Sequence, residues 1–394
     1  MRWNAQQLNQ PPLALEGVPA AAPLLPLAGL VKSVQTPGFA GITFHEVLSK
    51  SALNKVPATS SMPFEWTVNP YRGCSHACVY CFARKTHTYL DLDAGADFDS
   101  QVVVKVNVAE VLRREVHKPS WCRAHVALGT NTDPYQRAEG RYRLMPGIIS
   151  ALADSGTPFS ILTKGTLLSR DIPLLQAAGR QVSVGMGISL ALLDEGLAAA
   201  IEPGTPAPRS RLALIGKLRD AGLPCGVMSM PILPWLTDSE ECLDALFAAL
   251  AHAGATGVSA GALYLRPGTR EWFMQWLARE HPALVGRYRR LYSQGSYAPR
   301  DYRQWLAARV NAAKRRHGFG GTAGFMHDPR QEEAAYPAGS LPIGGSGHRT
   351  PGGGTARQGS TKQDSTKQDS NRARRRAGAA VTAPALFDAA PMLF

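Results

Sequence analysis

The sequence predicts an α/β fold: a partial (β/α)6-type barrel of parallel strands, followed by C-terminal helices and a disordered tail. Apolar segments of strand length alternate with amphipathic helical segments between about residue 63 and residue 267. Strands that are apolar along their whole length are typical of a parallel sheet with helices outside it. A cysteine-rich loop follows the first strand, and barrels carry their functional groups on loops at the carboxyl ends of strands. The barrel is therefore favoured over the alternative, a doubly wound open sheet.

The predicted elements follow one another in order along the chain. The strands are expected at 64–68, 125–129, 158–163, 181–189, 225–233 and 257–265. Helices lie between them and end at glycines such as Gly156 and Gly222, which suit the left-handed backbone of a helix C-terminus. Thr237 and Glu240 have the spacing of a capping box and predict the start of the last intervening helix. After the barrel, helices rich in Trp, Tyr and Arg are predicted over 271–280, 282–292 and 302–316.

Composition divides the 394 residues into four parts. We predict an N-terminal extension over 1–60, a barrel core over 61–267, a helical part of the same domain over 268–317, and a disordered, basic tail over 318–394. The tail is rich in Gly, Ser and Gln and repeats the sequence Ser-Thr-Lys-Gln-Asp. It has too few large apolar residues to form a core of its own.

No leader and no membrane span is predicted. The N-terminus lacks a basic stretch followed by a continuous apolar run, and the apolar segment from Leu25 to Leu30 is too short and too interrupted to cross a bilayer. We therefore expect a cytoplasmic protein in a reducing compartment, with no membrane partner. The net charge of +13 and the pI of about 9.7 make a polyanionic partner such as nucleic acid a reasonable expectation.

Three of the six cysteines, Cys74, Cys78 and Cys81, lie within eight residues in the pattern C-x3-C-x2-C. Three thiolates on one loop can hold three corners of an iron–sulfur cube, because such clusters prefer soft sulfur ligands. The next cysteine is Cys122, so the fourth iron would stay open to a ligand that is not protein. An open iron that binds S-adenosylmethionine (SAM) is typical of radical SAM enzymes, whose pattern also includes an aromatic residue before the third cysteine, here Tyr80.

Other interpretations of the cysteine loop stay open. A structural zinc site is possible if His76 or His87 supplies a fourth ligand, although no second C-x2-C pair is present. The chain would then be a zinc-containing nucleic-acid-binding protein without catalysis, which its basic charge and the run from Arg287 to Tyr292 would suit. A second alternative is a radical SAM enzyme that acts on a peptide or small metabolite. A disulfide is disfavoured, because three cysteines leave one thiol unpaired.

Residues from about 40 to 317 resemble the actinobacterial branch of radical SAM proteins related to spore photoproduct lyase, often labelled DNA repair photolyase-like. The resemblance is carried by five segments: Asn-Pro-Tyr-Arg-Gly-Cys at 69–74, Gly-Thr-Asn-Thr-Asp-Pro-Tyr-Gln at 129–136, Ile-Leu-Thr-Lys at 161–164, Glu-Pro-Gly-Thr-Pro-x-Pro at 202–208, and Met-Pro-Ile-Leu-Pro at 230–234.

This resemblance implies a [4Fe–4S] cluster on the three cysteines and SAM as the second cofactor. It implies that Thr132 and Asp133 hold the amino group of SAM, that Lys164 pairs with its carboxylate, and that Ser189 contacts its ribose. An electron donor of the flavodoxin or ferredoxin type would reduce the cluster. Cleavage of SAM would then give a 5′-deoxyadenosyl radical that abstracts hydrogen from a substrate.

The identity of the substrate is less clear in the sequence. Spore photoproduct lyase uses a cysteine near the end of its second strand as a hydrogen-atom donor, and the stretch 128–133 has none. A rim of Arg84, Lys85, Arg266 and Arg270 would favour a phosphate-bearing substrate.

At the far end of the chain, two interpretations of the tip Met392-Leu393-Phe394 stay open: it folds back onto the barrel of its own chain, or it docks on a protein partner. It resembles the end of peptides that bind the bacterial DNA sliding clamp, although their usual leading glutamine is missing.

Overall fold

The structure of the chain is a computed structural model, and it describes residues 27–57, 60 and 62–320. The predictions for residues 1–26, for the tail from residue 321 onward and for the tip Met392-Leu393-Phe394 therefore lie outside the described residues. The strands are β1 Leu30–Gln35, β2 Thr43–Val47, β3 Leu53–Lys55, β4 Trp66–Val68, β5 Tyr71–Arg72, β6 Gln101–Lys105, β7 Val126–Leu128, β8 Phe159–Thr163, β9 Val184–Ser189, β10 Cys225–Ile232 and β11 Gly257–Ala262.

Helices fill the connections between these strands and follow the last of them. They are α1 Ala96–Ser100, α2 Val108–Val116, α3 Glu139–Tyr142, α4 Leu144–Asp154, α5 Ile172–Gly179, α6 Glu195–Ile201, α7 Pro208–Asp220, α8 Glu240–Ala253, α9 Thr269–Glu280, α10 Val285–Leu291 and α11 Arg300–Arg316. Short 3-10 helices cover Pro37–Phe39, Phe82–Leu90, Thr166–Asp171 and Pro282–Leu284. None of the described helices combines the length and apolar character that crossing a membrane would require.

Six of the seven strands of the main sheet are parallel, in the order β4, β7, β8, β9, β10, β11. They are the six strands predicted from the sequence, and they confirm the partial barrel. Neighbours in space are also neighbours in sequence, so the strand order never reverses as it must in a doubly wound sheet. That alternative is wrong. All six carboxyl ends point to one end of the barrel, which we call the barrel mouth.

The segment predicted as an N-terminal extension contributes strands to both sheets. β3 pairs antiparallel with β4 at the edge of the main sheet. β1 and β2 belong to a second sheet of order β1-β2-β6-β5, in which β2 pairs parallel with β6. The short strand β5 joins this sheet and ends directly before the cysteine loop. The entry to that loop is therefore fixed by strand pairing; the domain boundaries themselves remain a prediction.

The C-terminal helices occur where the aromatic and basic segments predicted them. Leu306, Val310 and Ala313 of α11 belong to the main hydrophobic core. Aromatic side chains of α9 and α10, such as Phe273 and Tyr288, form a separate cluster with Cys78, Val79 and Tyr80. The helical part therefore packs directly against the cysteine loop.

The predicted capping box is wrong in one detail. Helix α8 begins after Ser239, whose side chain accepts a hydrogen bond from the backbone N–H of Cys242. The hydroxyl of Thr237 instead accepts from the N–H of Leu233 at 2.8 Å. Thr237 therefore closes the turn after β10, and the residue two positions later caps the helix.

Candidate functional site

The cysteine loop runs from β5 to the 3-10 helix at Phe82–Leu90, at the barrel mouth. Gly73 enters it with φ of +83°, a left-handed conformation that suits glycine. The loop buries Cys74 and Cys78, while Cys81 is partly exposed, and all three thiols are free. The structure therefore brings the three predicted ligands together on one short, largely buried loop.

The three thiols are not gathered around one point. Within the described part of the chain, no three His, Cys, Asp or Glu side chains surround one point as the ligands of a single metal ion would. In a [4Fe–4S] cube each cysteine binds a different iron, so its thiolates lie around the cluster. The hydroxyl of Ser75, on the same loop, is buried without a hydrogen-bond partner among the described residues.

Each of the two histidines proposed as zinc ligands has one ring nitrogen beside a protein oxygen. Nε2 of His87 lies 2.8 Å from the carbonyl of Gln101, and burial lowers the pKa of His87 to about 4. Nδ1 of His76 lies 3.3 Å from a carboxylate oxygen of Asp133. Burial alone would lower the pKa of His76, but the charges of Asp133 and of the Cys74 thiol raise it to about 10.

Thr132 and Gln136 form hydrogen bonds with the backbone of the cysteine loop. The hydroxyl of Thr132 donates to the carbonyl of Gly73 at 2.8 Å. The side chain of Gln136 is fully buried; its oxygen accepts from the N–H of Ser75 at 2.8 Å, and its nitrogen donates to the Gly73 carbonyl at 3.1 Å. Gln136 thus spans the backbone on both sides of Cys74. Residue-by-residue reasoning missed it, although it ends the motif at 129–136.

Asp133 joins the ends of two strands to this loop. Its Oδ1 accepts from the hydroxyl of Thr163 at 2.5 Å and from the N–H of Tyr135 at 2.8 Å. Its Oδ2 accepts from the N–H of Lys164 at 2.6 Å and faces His76. Burial acts to raise the pKa of Asp133, but the His76 charge and these hydrogen bonds lower it overall. The carboxylate therefore anchors protein groups, and its predicted role toward SAM remains a prediction.

Lys164 and Tyr80 both contact a single buried carboxylate, that of Glu202, and Ser189 is linked to it through Lys164. The ammonium of Lys164 donates to the hydroxyl of Ser189, lies 3.6 Å from Oε1 of Glu202, and sits 5.8 Å from the centroid of the Tyr80 ring. The phenol of Tyr80 donates to the same oxygen of Glu202. Two predicted SAM contacts, Lys164 and Ser189, and the aromatic residue of the cysteine pattern, Tyr80, thus form one connected group beside the cysteines.

The negative charge of Glu202 is also paired with a second cation, the guanidinium of Arg211. Nη2 of Arg211 lies 2.6 Å from Oε2 of Glu202, and both side chains are wholly buried. Arg211 also donates to the carbonyl of Ser189 at 3.1 Å. Burial acts to raise the pKa of Glu202, but Lys164, Arg211 and the hydrogen bond from Tyr80 together lower it to about 2. Glu202 is the first residue of the motif at 202–208, and nothing around it in the sequence indicates this role.

Gly204, in the same motif, lies against the backbone of the cysteine loop. Its N–H donates to the carbonyl of His76 at 3.0 Å. A Cβ atom at this position would lie 1.9 Å from the carbonyl oxygen of Ser75 and 2.9 Å from Cα of His76. The motif is therefore a support for the loop, and only glycine allows the approach.

We expect Gly204→Ala to lower the free energy of unfolding by about 1–3 kcal/mol, because backbone must move to admit the methyl group. Iron binding after anaerobic reconstitution should fall as well, since the loop moves. Gly179→Ala is the matched control: nothing lies within 4 Å of its Cβ position. Chemical denaturation and iron analysis of both variants make the comparison, and equal results would contradict the support role.

The predicted phosphate-binding rim needs correction. Arg84 is fully buried; it donates to the carbonyl of Cys78 at 3.0 Å and pairs with Asp99 at 2.8 Å. It braces the cysteine loop and is not available to a substrate. Arg270 donates to the carbonyl of Gly295, while Lys85 and Arg266 are partly exposed.

The other cysteines lie away from the loop. Cys225 is the buried first residue of β10, at the end of the strand opposite the barrel mouth. Cys122, before β7, and Cys242, on α8, are exposed.

Comparison with known proteins agrees with this site. The model of the radical SAM superfamily matches residues 68–246, a span that includes the cysteine loop and Lys164, Ser189 and Glu202. A protein of Mycobacterium tuberculosis, named only as uncharacterized, is 61% identical over 313 residues, which cover 79% of this chain and 91% of that protein. An uncharacterized protein of Methanocaldococcus jannaschii is 27% identical over 198 residues, 50% of this chain and 71% of its own.

Among solved structures, spore photoproduct lyase complexed with a dinucleoside spore photoproduct superposes with a TM-score of 0.54. The two share 16% identity over 71% of this chain and 80% of that one, so the likeness supports the fold alone. The family match over the cysteine loop and the barrel around it carries the assignment. The chain belongs to the radical SAM superfamily and is a radical SAM enzyme, with a [4Fe–4S] cluster and SAM as its cofactors; the alternative of a zinc protein without catalysis is wrong.

Proposed function

We propose that Cys74, Cys78 and Cys81 bind the [4Fe–4S] cluster, and that the enzyme cleaves SAM reductively to abstract hydrogen from a nucleic acid or another phosphate-bearing substrate. The observation that carries this proposal is the placement of three free thiols at the barrel mouth, next to a lysine ammonium held by a buried carboxylate. When bound, the reduced cluster supplies the electron that breaks the sulfonium C–S bond of SAM.

The residues of the chain prepare the site for SAM in three ways. Lys164 offers an ammonium that can pair with the carboxylate of SAM, and its contacts with Glu202 and Ser189 hold it in place. Thr132 and Asp133 are proposed to lie at the amino group of SAM and Ser189 at its ribose. The aromatic cluster beneath Tyr80 keeps water from the cysteines on that side.

The substrate class and the electron donor are also proposals. Spore photoproduct lyase, which shares the fold, has been solved with a dinucleoside, and the C-terminal helices of this chain are strongly basic. Both features favour a nucleic acid substrate. The cluster must be reduced by one electron before SAM can be cleaved, and we propose a flavodoxin- or ferredoxin-type donor for it.

The direct test is anaerobic reconstitution of the full chain with iron and sulfide, followed by incubation with SAM and dithionite. We expect about four irons per chain and release of 5′-deoxyadenosine, measured by chromatography. A reconstituted chain with a full complement of iron that releases none would refute the proposal.

A second measurement tests Lys164 alone. If its ammonium pairs with the SAM carboxylate in a partly desolvated site, Lys164→Met should weaken SAM binding by ~1.5–3 kcal/mol, roughly ten- to hundredfold. Iron content should stay at the wild-type level, because Lys164 is not a ligand. Calorimetric titration of SAM into the reconstituted chain measures the affinity, with Lys85→Met as the control. SAM affinity equal to wild type in Lys164→Met would exclude this role.

A further inference from the structure

Most of the net positive charge of residues 1–317 lies in one C-terminal segment. Residues 266–317 hold twelve Lys and Arg against three Asp and Glu, whereas residues 1–265 hold 22 against 21. Eleven of the twelve are arginines. The planar guanidinium group pairs with two phosphate oxygens at once, which an ammonium group cannot do. The composition of this segment therefore suits a phosphate-bearing polymer.

Five of these arginines form what we call the arginine face. Arg287, Arg289 and Arg290 lie on α10, and Arg300 and Arg303 lie at the start of α11; all five are exposed. Among the described residues, none of the five forms an ion pair with a carboxylate. Like charges gathered in this way repel one another, and a bound polyanion would remove that repulsion.

Hydrogen bonds attach the arginine face to the barrel mouth. The phenol of Tyr288, on α10, donates to the carbonyl of Pro234 at 2.8 Å. The phenol of Tyr302, on α11, donates to Asp238 at 2.7 Å, and Asp238 also accepts from the N–H of Trp235 at 2.8 Å. Residues 233–239 follow the carboxyl end of β10. The five arginines are thus fixed to the same end of the barrel as the cysteine loop.

Trp235 adds an aromatic group at this place. It is partly exposed and has φ of +64°, which is rare for a bulky side chain. The guanidinium carbon of Arg287 lies 4.3 Å from the centroid of its ring, and Tyr288 contacts the ring edge-on at 5.3 Å. Unpaired bases are commonly held by stacking on aromatic rings and on arginine planes.

We infer that the arginine face and Trp235 dock single-stranded nucleic acid, with the arginines on backbone phosphates and Trp235 stacked on an unpaired base at the barrel mouth. The inference rests on the proposed function for its substrate class. A base must leave its stack before an atom of it can reach chemistry inside a barrel, so a surface that holds an unstacked strand beside the mouth serves that reaction.

The test is fluorescence anisotropy of a short fluorescein-labelled oligothymidylate with the reconstituted full chain, over a range of salt concentrations. Arg287→Gln/Arg290→Gln removes two phosphate contacts and should reduce the slope of log K against log salt by about 1.4. Arg113→Gln/Arg114→Gln, an exposed pair on α2, is the matched control and should bind as wild type. Arg287→Lys/Arg290→Lys keeps both charges and should keep the slope. Trp235→Ala should weaken binding by roughly five- to hundredfold at an unchanged slope.

Wild-type affinity and slope in Arg287→Gln/Arg290→Gln would overturn the inference and place the binding elsewhere, for example on the basic run Arg372–Arg376 of the tail. Absence of binding by the wild-type chain would overturn it as well. Circular dichroism shows that each variant is folded. Because anisotropy does not depend on SAM cleavage, a chain that binds the strand but releases no 5′-deoxyadenosine would contradict the proposed function alone.

Discussion

Replacement of any one of Cys74, Cys78 and Cys81 by alanine is expected to abolish cluster binding and, with it, release of 5′-deoxyadenosine. The physical reason is that the loop holds three thiolates and no spare ligand, so two thiolates cannot retain the cube. Alanine is preferred to serine because it cannot act as a weak oxygen ligand. Iron and sulfide per chain, together with the visible absorbance of the reconstituted protein, measure the loss.

Cys122→Ala and Cys242→Ala are the matched controls for this series, since both thiols are exposed and away from the loop. They should keep full iron and SAM cleavage. Retention of both properties in any one of the three loop variants would contradict the assignment of the ligands.

Glu202→Ala is expected to have the largest effect on stability of the changes considered. It leaves the guanidinium of Arg211 buried without its carboxylate and removes an anion from Lys164. Breaking a buried ion pair on one side costs about 3–5 kcal/mol of unfolding free energy. Tyr80 also loses its hydrogen-bond acceptor, so SAM binding should weaken together with stability. Urea denaturation and SAM titration measure the two effects.

The matched control for Glu202 lies a few residues earlier in the chain. Glu195 pairs with Arg209 at 3.4 Å, but both side chains are largely exposed, and exposed pairs contribute about 0–1 kcal/mol. Glu195→Ala should therefore change stability little. If Glu202→Ala were no more destabilising than Glu195→Ala, the buried pair would not hold the site together as described.

The parallel barrel was predictable because mainly apolar segments of strand length alternate with helix signals along residues 63–267. The cysteine trio was predictable from spacing alone. Strands β3 and β5 were not predictable, because no helix signal follows them and their pairing depends on partners elsewhere in the chain, β4 and β6. For the same reason, residues 30–55 gave no sign that they join both sheets.

Long-range contacts also explain which site residues were missed or misjudged. Nothing local distinguishes the buried Arg84, which supports the loop, from an exposed arginine at a rim. Glu202 and Gln136 could be identified in the sequence only as members of motifs. Their roles depend on contacts with Tyr80 and Ser75, which lie 122 and 61 residues away in sequence.

The distance in sequence between the cysteine loop and the residues that contact it also affects folding during synthesis. The three cysteines leave the ribosome well before the groups that bury them: Glu202 contacts Tyr80 from 122 residues away, and Thr269 donates to the carbonyl of Cys81 from 188 residues away. Domains generally fold as units during synthesis, and this loop cannot be completed before the groups at residues 202 and 269 are present. The three thiols are therefore exposed to solvent on the nascent chain. The complete site can form only after residue 269 has left the ribosome.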